Sequence, residues 1–191
     1  MSEDSIWTDL PKLELHLHLE GAAPPEFISQ LAGEQGVRLD GVFGEDGGYA
    51  YRDFNHFLEV YAAATKVLRT PQDFARLVTV IIENLADEGV VYAESFISPE
   101  FCGGGDVSAW RDYIAAMQEA AEQGSDRHGV IFKGIATAIR HLGPDKARSA
   151  ALCAADTHGE FVCGFGMGGD EMAFTPADFA WAYDCARETG M

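Results

Sequence analysis

Two histidines one residue apart stand in the stretch LELHLHLEG (13–21). On a strand, residues i and i+2 share a face and sit roughly 6–7 Å apart at Cα. Two imidazoles at that spacing converge on one metal ion, with Zn–N bonds of about 2.0–2.1 Å. Bound zinc draws the pKa of its water down toward about 7 and so makes hydroxide available at neutral pH. The stretch alternates Leu13, Leu15, Leu17 and Leu19 with Glu14, His16, His18 and Glu20. That period of two predicts a strand with leucine on one face and the polar set on the other. Thr, Lys or Arg would solvate such a face more cheaply than His. His16 and His18 are therefore candidate metal ligands. The competing reading is a half-exposed strand that happens to carry histidine.

The elements that must position this pair follow from the rest of the chain. Pro24 and Pro25 open a helix with Phe27, Ile28 and Leu31 on its apolar face, ending at Gly33 or Gly36. Residues 40–50, DGVFGEDGGYA, read as a loop. Phe54, Phe57, Leu58, Tyr61 and Ala62 recur at helical spacing. Thr70-Pro71-Gln72-Asp73 is a capping box that opens a helix to Gly89. Strands are predicted at 89–101, 129–141 and 160–171. Helices lie between them, one from Asp106 or Ser108 to near Gly124 and one from Pro144 to Gly159. Thr175-Pro176-Ala177-Asp178 opens a last helix. This alternation predicts an α/β fold with a parallel sheet in a single domain spanning 1–191.

Chemistry in parallel α/β folds collects at the C-terminal ends of the strands. Here each predicted strand ends in residues that packing alone would not select. They are His16, His18, Glu20 and Gly21; Glu94, Ser95, Ser98 and Pro99; Arg140 and His141; and Gly168, Gly169, Asp170 and Glu171. Each has a plainer structural reading. Arg140 and His141 suit salt bridges behind a site, Asp170 and Glu171 suit turn capping, and Glu94 suits a buried ion pair. Gly164, Gly166, Gly168 and Gly169 lack the spacing of a dinucleotide or triphosphate loop. They read as close backbone approach to a flat ligand. His56 on its helix, and His128 and His158 in loops, read as solvated surface residues.

Bulk composition bounds the partners. The net charge of −18 opposes nucleic acid or an anionic membrane as a ligand. No run approaches the roughly 20 apolar residues of a membrane span, and the acidic start MSEDSIWTDLPK has no signal-like apolar core. Cys102, Cys153, Cys163 and Cys185 form no C-x-x-C pair and fit free thiols in a reducing, cytoplasmic setting.

PKLELHLHLEGA (11–22), YAESFISPEF (92–101), AIRH (138–141) and GFGMGGDE (164–171), in this order, together resemble the adenosine deaminase family, and its bacterial members most. The resemblance implies a TIM (β/α)8 barrel of the metal-dependent hydrolase type, of which this chain supplies the N-terminal part, about four βα units. It implies that His16 and His18 bind one catalytic Zn2+, that Glu20 faces the sugar or outer edge of the substrate, and that Gly169 hydrogen-bonds the purine through its backbone. No role is carried onto Glu94, Arg140, His141, Asp170 or Glu171. The implied activity is zinc-dependent hydrolytic deamination of adenosine or deoxyadenosine, with a small purine nucleoside as partner.

The family's proton-donating Glu, its third zinc histidine and its zinc-binding Asp fall beyond Met191. The expectation is thus a catalytic domain incomplete at its C-terminus, with no proton donor of its own and inactive alone. Glu20 stands where many adenosine deaminases carry Asp, so an adenine or other aminopurine deaminase is the alternative. An alternative of another class is a non-catalytic half-barrel that binds a purine or a partner. A binuclear hydrolase would need a Lys at the end of the fourth strand, and Lys133 lies early in the third. The cytidine-type signature, H-x-E paired with P-C-x-x-C, does not occur.

Overall fold

Four parallel strands run side by side in sequence order in the computed structural model, which describes residues 10–191. They are β1 (Lys12–His18), β2 (Val90–Ile97), β3 (Ile131–Ile139) and β4 (Val162–Gly168). Between β1 and β2 come α1 (Pro25–Gln35), α2 (Phe54–Thr65) and α3 (Pro71–Asp87). Single helices α4 (Val107–His128) and α5 (Pro144–Thr157) make the next two crossovers. A 3-10 turn (Pro176–Phe179) leads into α6 (Ala180–Glu188). The architecture is that of the N-terminal part of a (β/α)8 barrel.

Local chemistry sets these boundaries. The Thr70 hydroxyl accepts from the Asp73 amide at 3.2 Å while the Asp73 carboxylate accepts from the Thr70 amide at 2.9 Å. This satisfies donors that the first turn of α3 leaves open. Gly36 closes α1 in the left-handed region (φ 64°), where glycine carries no Cβ penalty. Asp106 caps α4 by accepting from the Ala109 amide at 2.8 Å. The predicted stop of α4 at Gly124 is overturned, for the helix continues to His128 and Gly129 is its cap. Gly124 serves packing instead, since a Cβ there would lie 2.7 Å from Cδ1 of Ile82. His128 accordingly ends a helix rather than occupying a loop, and His158 caps α5.

The main core lies between the sheet's outer face and the helices. Phe74, Leu77, Val78 and Ile82 of α3 are fully buried, as are Trp110 and Met117 of α4. Each such side chain contributes about 1.5–3 kcal/mol of burial. Phe74 and Tyr113 meet edge to face at 5.3 Å, and Trp110 Nε1 donates to Thr157 Oγ1 at 2.8 Å. Inside the sheet's curve, Tyr92, Glu94 and Phe96 of β2 are only half-buried.

Candidate active site

β1 does not keep the strict alternation its sequence predicts. Its register against β2 shifts between Glu14 and Leu17. The Glu14 carboxylate accepts from the His16 amide at 2.8 Å within that irregularity. Leu13 and Leu15 are more than half exposed, whereas Leu19 is wholly buried. The histidines nonetheless share a side, since both pack against the Phe96 ring, at 4.8 and 5.1 Å between centroids.

The His16 and His18 rings are 5.5 Å apart between centroids and tilted by 44°. Two imidazoles on one tetrahedral Zn2+ place their centroids roughly 5 Å apart, given Zn–N bonds of about 2.0–2.1 Å. The pair thus fits a shared ion. Burial, aided by the neighbouring His16, lowers the pKa of His18. This favours the neutral imidazole with a lone pair to give. Among the described residues no third His, Cys, Asp or Glu joins them in a cluster.

A cavity of about 530 Å³ opens over these rings. Glu20 and Gly21 border it after β1, Phe96 and Ser98 at the end of β2, Thr137 and His141 at the end of β3, and Gly168 and Gly169 at the end of β4. The structure therefore gathers His16, His18, Glu20 and Gly169 around one space, although they come from segments 150 residues apart in the chain. Its size falls within the range of small-molecule sites.

Glu20 is 5% exposed. Its Oε2 accepts from the Tyr61 hydroxyl at 2.9 Å, while Oε1 is buried without a hydrogen-bond partner. Burial pushes its pKa up to about 7, partly offset by the Tyr61 hydrogen bond among others. The Ser95 and Ser98 hydroxyls are also buried without partners.

Two glycines of β4 yield space to side chains of the same sheet. A Cβ at Gly166 would lie 3.2 Å from Phe96, and one at Gly168 would lie 3.3 Å from His18. Gly166 and Gly168 thus leave room for the rings of β2 and β1, while Gly168 and Gly169 also border the cavity. Gly169 differs from them in its positive φ of 104°.

Other sequence expectations sort as follows. Asp170 does cap a turn, with Oδ1 accepting from the Met172 amide at 2.9 Å, and Glu171 is exposed. Arg140 forms no salt bridge among the described residues and donates to backbone carbonyls instead. Glu94 lies opposite Lys133 in register, but its recorded partner is the Tyr92 hydroxyl at 2.7 Å, not a cation. His56 is half-buried rather than solvated, with Nδ1 lacking a partner. α2 gives Val60 and Ala64 to the core, but the stripe noted in the sequence turns elsewhere. Phe54, Phe57, Leu58 and Tyr61 line the cavity, and Phe54 is 57% exposed. The sequence reading missed Tyr61 and Phe57 as site residues, because an apolar stripe at helical spacing looks the same whether a core or a cavity covers it.

Comparison with known proteins agrees with this geometry. The adenosine deaminase family model matches residues 11–191. An adenine deaminase of Chelativorans sp. (strain BNC1) is 38% identical over 182 residues, covering 95% of this chain and 55% of that protein. One from Rhizobium leguminosarum bv. trifolii (strain WSM2304) is 37% identical over 95% of this chain and 56% of its own length. The chain spans about half the length of these curated relatives. Among solved structures, the adenine deaminase of Arthrobacter aurescens superposes with a TM-score of 0.81 at 29% identity, over 95% of this chain and 55% of that one. An amidohydrolase from Burkholderia ambifaria with bound Zn shares the fold, with a TM-score of 0.83 at 24% identity over 98% and 52%. With the motifs, the strand order and the family model in agreement, the chain belongs to the adenosine deaminase family.

Proposed function

We propose that this chain forms the zinc- and purine-binding half of a hydrolytic aminopurine deaminase site, with adenine as its substrate. The observation that carries this reading is the convergence of His16, His18, Glu20 and Gly169 on one cavity at the C-terminal ends of parallel strands. His16 and His18 hold the zinc ion. Bound there, zinc supplies a water acidic enough to serve as hydroxide at neutral pH. Gly169 holds the flat edge of the purine through its backbone. Phe54, Phe57 and Phe96 exclude water around the ring system. Protonation of the ring falls to a carboxyl group outside this chain.

Adenine is favoured over adenosine, the substrate that the motifs alone put first, on two grounds. The relatives quoted above carry the name adenine deaminase. Glu20 also stands where many adenosine deaminases carry the shorter Asp, and one of its oxygens is already engaged by Tyr61. Glu20 on this reading borders the outer edge of the base. The second reading, adenosine, draws on the family model that the chain matches.

Zinc content and purine binding test the proposal together. Zinc titrated into the chain is expected to bind weakly at one site per molecule, completed by water, and His16→Ala and His18→Ala are each expected to lose that binding. Adenine raises the melting temperature of the zinc-loaded chain more than adenosine does. Full zinc retention in both variants removes the metal assignment, and a preference for adenosine reverses the substrate assignment.

A further inference from the structure

The segment between β4 and α6 carries Gly169 at its start, and no strand ladder holds it. It is held from β3. Arg140 reaches across so that Nε donates to the Ala173 carbonyl at 2.7 Å and Nη2 to the Phe174 carbonyl at 3.0 Å. Among the described residues this guanidinium has no carboxylate within salt-bridge distance. Its charge is directed at two consecutive neutral carbonyls, a two-point contact that fixes orientation as well as position.

Phe174 is the only non-glycine residue with positive φ (58°) among those described. A bulky residue in that region is strained and persists only when its surroundings impose it. The Arg140 hydrogen bond to its carbonyl is one such constraint. The Phe174 ring supplies another, lying 6.0 Å from Phe179 and so close over Gly143 that a Cβ there would be 3.1 Å away. His141, next to Arg140, completes the interlock. Its Nδ1 accepts from the Asp170 amide at 3.4 Å, and a Cβ on Gly169 would lie 2.7 Å from the same atom. The turn after β3 and the segment after β4 therefore fit together in one arrangement.

We propose that Arg140 is a positioning residue that sets the placement of Gly169 at the edge of the cavity that His16 and His18 also line, and through it the register of the purine against the metal ligands. The proposal rests on the reading of Gly169 as a purine contact. Without the clamp, Phe174 is free to leave its strained conformation and the Gly169 peptide to rotate with it.

The test uses the zinc-loaded 191-residue chain with adenine as probe, comparing wild type, Arg140→Met and Arg140→Lys. In wild type, adenine shifts the amide resonance of Gly169. Arg140→Met speeds hydrogen exchange of the 169–175 amides about tenfold, leaves β3 and α5 unchanged, and weakens adenine binding about tenfold. Arg140→Lys, which can keep one of the two bonds, falls between in all three measures. That graded rescue at a distant ligand contact is not expected of a residue that only adds stability. Wild-type exchange and adenine affinity in Arg140→Met overturn the positioning role while leaving the Gly169 contact standing. A wild-type Gly169 amide that ignores bound adenine overturns the contact itself and the positioning role with it. If Arg140→Met does not fold, Arg140→Lys decides, with wild-type values in that variant counting against the proposal.

Discussion

The α3–α4 layer and the β1–α2 wall are built from similar residues to opposite ends. In the first, Phe74, Leu77, Ile82 and Trp110 are sealed, the helix starts are capped, and the polar atoms of Trp110 and Tyr113 have partners. In the second, Phe54 and Leu15 are more than half exposed and Glu20 keeps a buried oxygen without a partner. Hydrophobic and polar groups are sealed and partnered within the α3–α4 layer and left more open around the cavity. Unpartnered polar atoms of native proteins invite an explanation. Ser98, which borders the same cavity, adds another.

The largest expected effect breaks the stable side of this contrast. Trp110→Ala empties a fully buried site and removes the donor to the Thr157 hydroxyl, which keeps only its bond to the Cys153 carbonyl. A loss of about 3–5 kcal/mol is expected in urea unfolding followed by circular dichroism. A loss below about 1 kcal/mol would show that the α3–α4 layer is not the rigid half.

The next effect probes the open side through pH. The Glu20 carboxyl is raised from 4.5 to about 7 in the folded chain. A raised acid pKa means that the folded state binds the proton more tightly than the unfolded state does. Its penalty is nil below about pH 4.5, grows as pH rises toward 7, and is complete above that. The metal-free chain should thus lose on the order of 3 kcal/mol from this group between pH 4 and pH 8. Glu20→Gln should remove that component of the slope, so that its stability gain over wild type appears only at the higher pH. Parallel pH profiles for the two proteins would mean that Glu20 is solvated.

Gly124→Ala tests how tightly the helical layer is closed. Alanine favours a helix by about 1 kcal/mol, but its Cβ would lie 2.7 Å from Ile82, and overpacking of that kind costs about 1–3 kcal/mol. A small net loss is expected, relieved in the double variant with Ile82→Val; additive effects of the two changes would contradict direct contact. The smallest stability effect is expected for Phe54→Ala, within about 0.5 kcal/mol because the ring is already exposed. Adenine binding should weaken several-fold in the same variant. Unchanged binding would take α2 out of the site.

The sequence disclosed most of what depends on near neighbours. The Thr70–Asp73 box and the proline-led starts of α1 and α5 act within four residues and sit where the sequence puts them; of Asp106 and Ser108 the structure takes Asp106, and the Thr175–Asp178 start opens a 3-10 turn before α6. The His16/His18 pair was visible for the same reason. What the sequence hid depends on distant partners. Nothing near Gly124 says that Ile82 lies against it, and nothing in GFGMGG says that its glycines face Phe96 and His18. The β1 irregularity is a property of two strands, so a perfect alternation in one of them conceals it. Arg140 looks like a salt-bridge residue until its carbonyl partners, more than thirty residues away, are seen.

The glycine run of β4 constrains how this site can change by descent. A side chain at Gly166 presses on Phe96 and one at Gly168 presses on His18, so each gain needs the ring to give by a few tenths of an ångström. Phe96 is free to move or shrink; His18, if it holds the metal, is not. Changes to the cavity floor are therefore cheaper at Gly166, after β2 has been altered, than at Gly168, whose neighbour is tied to the metal site.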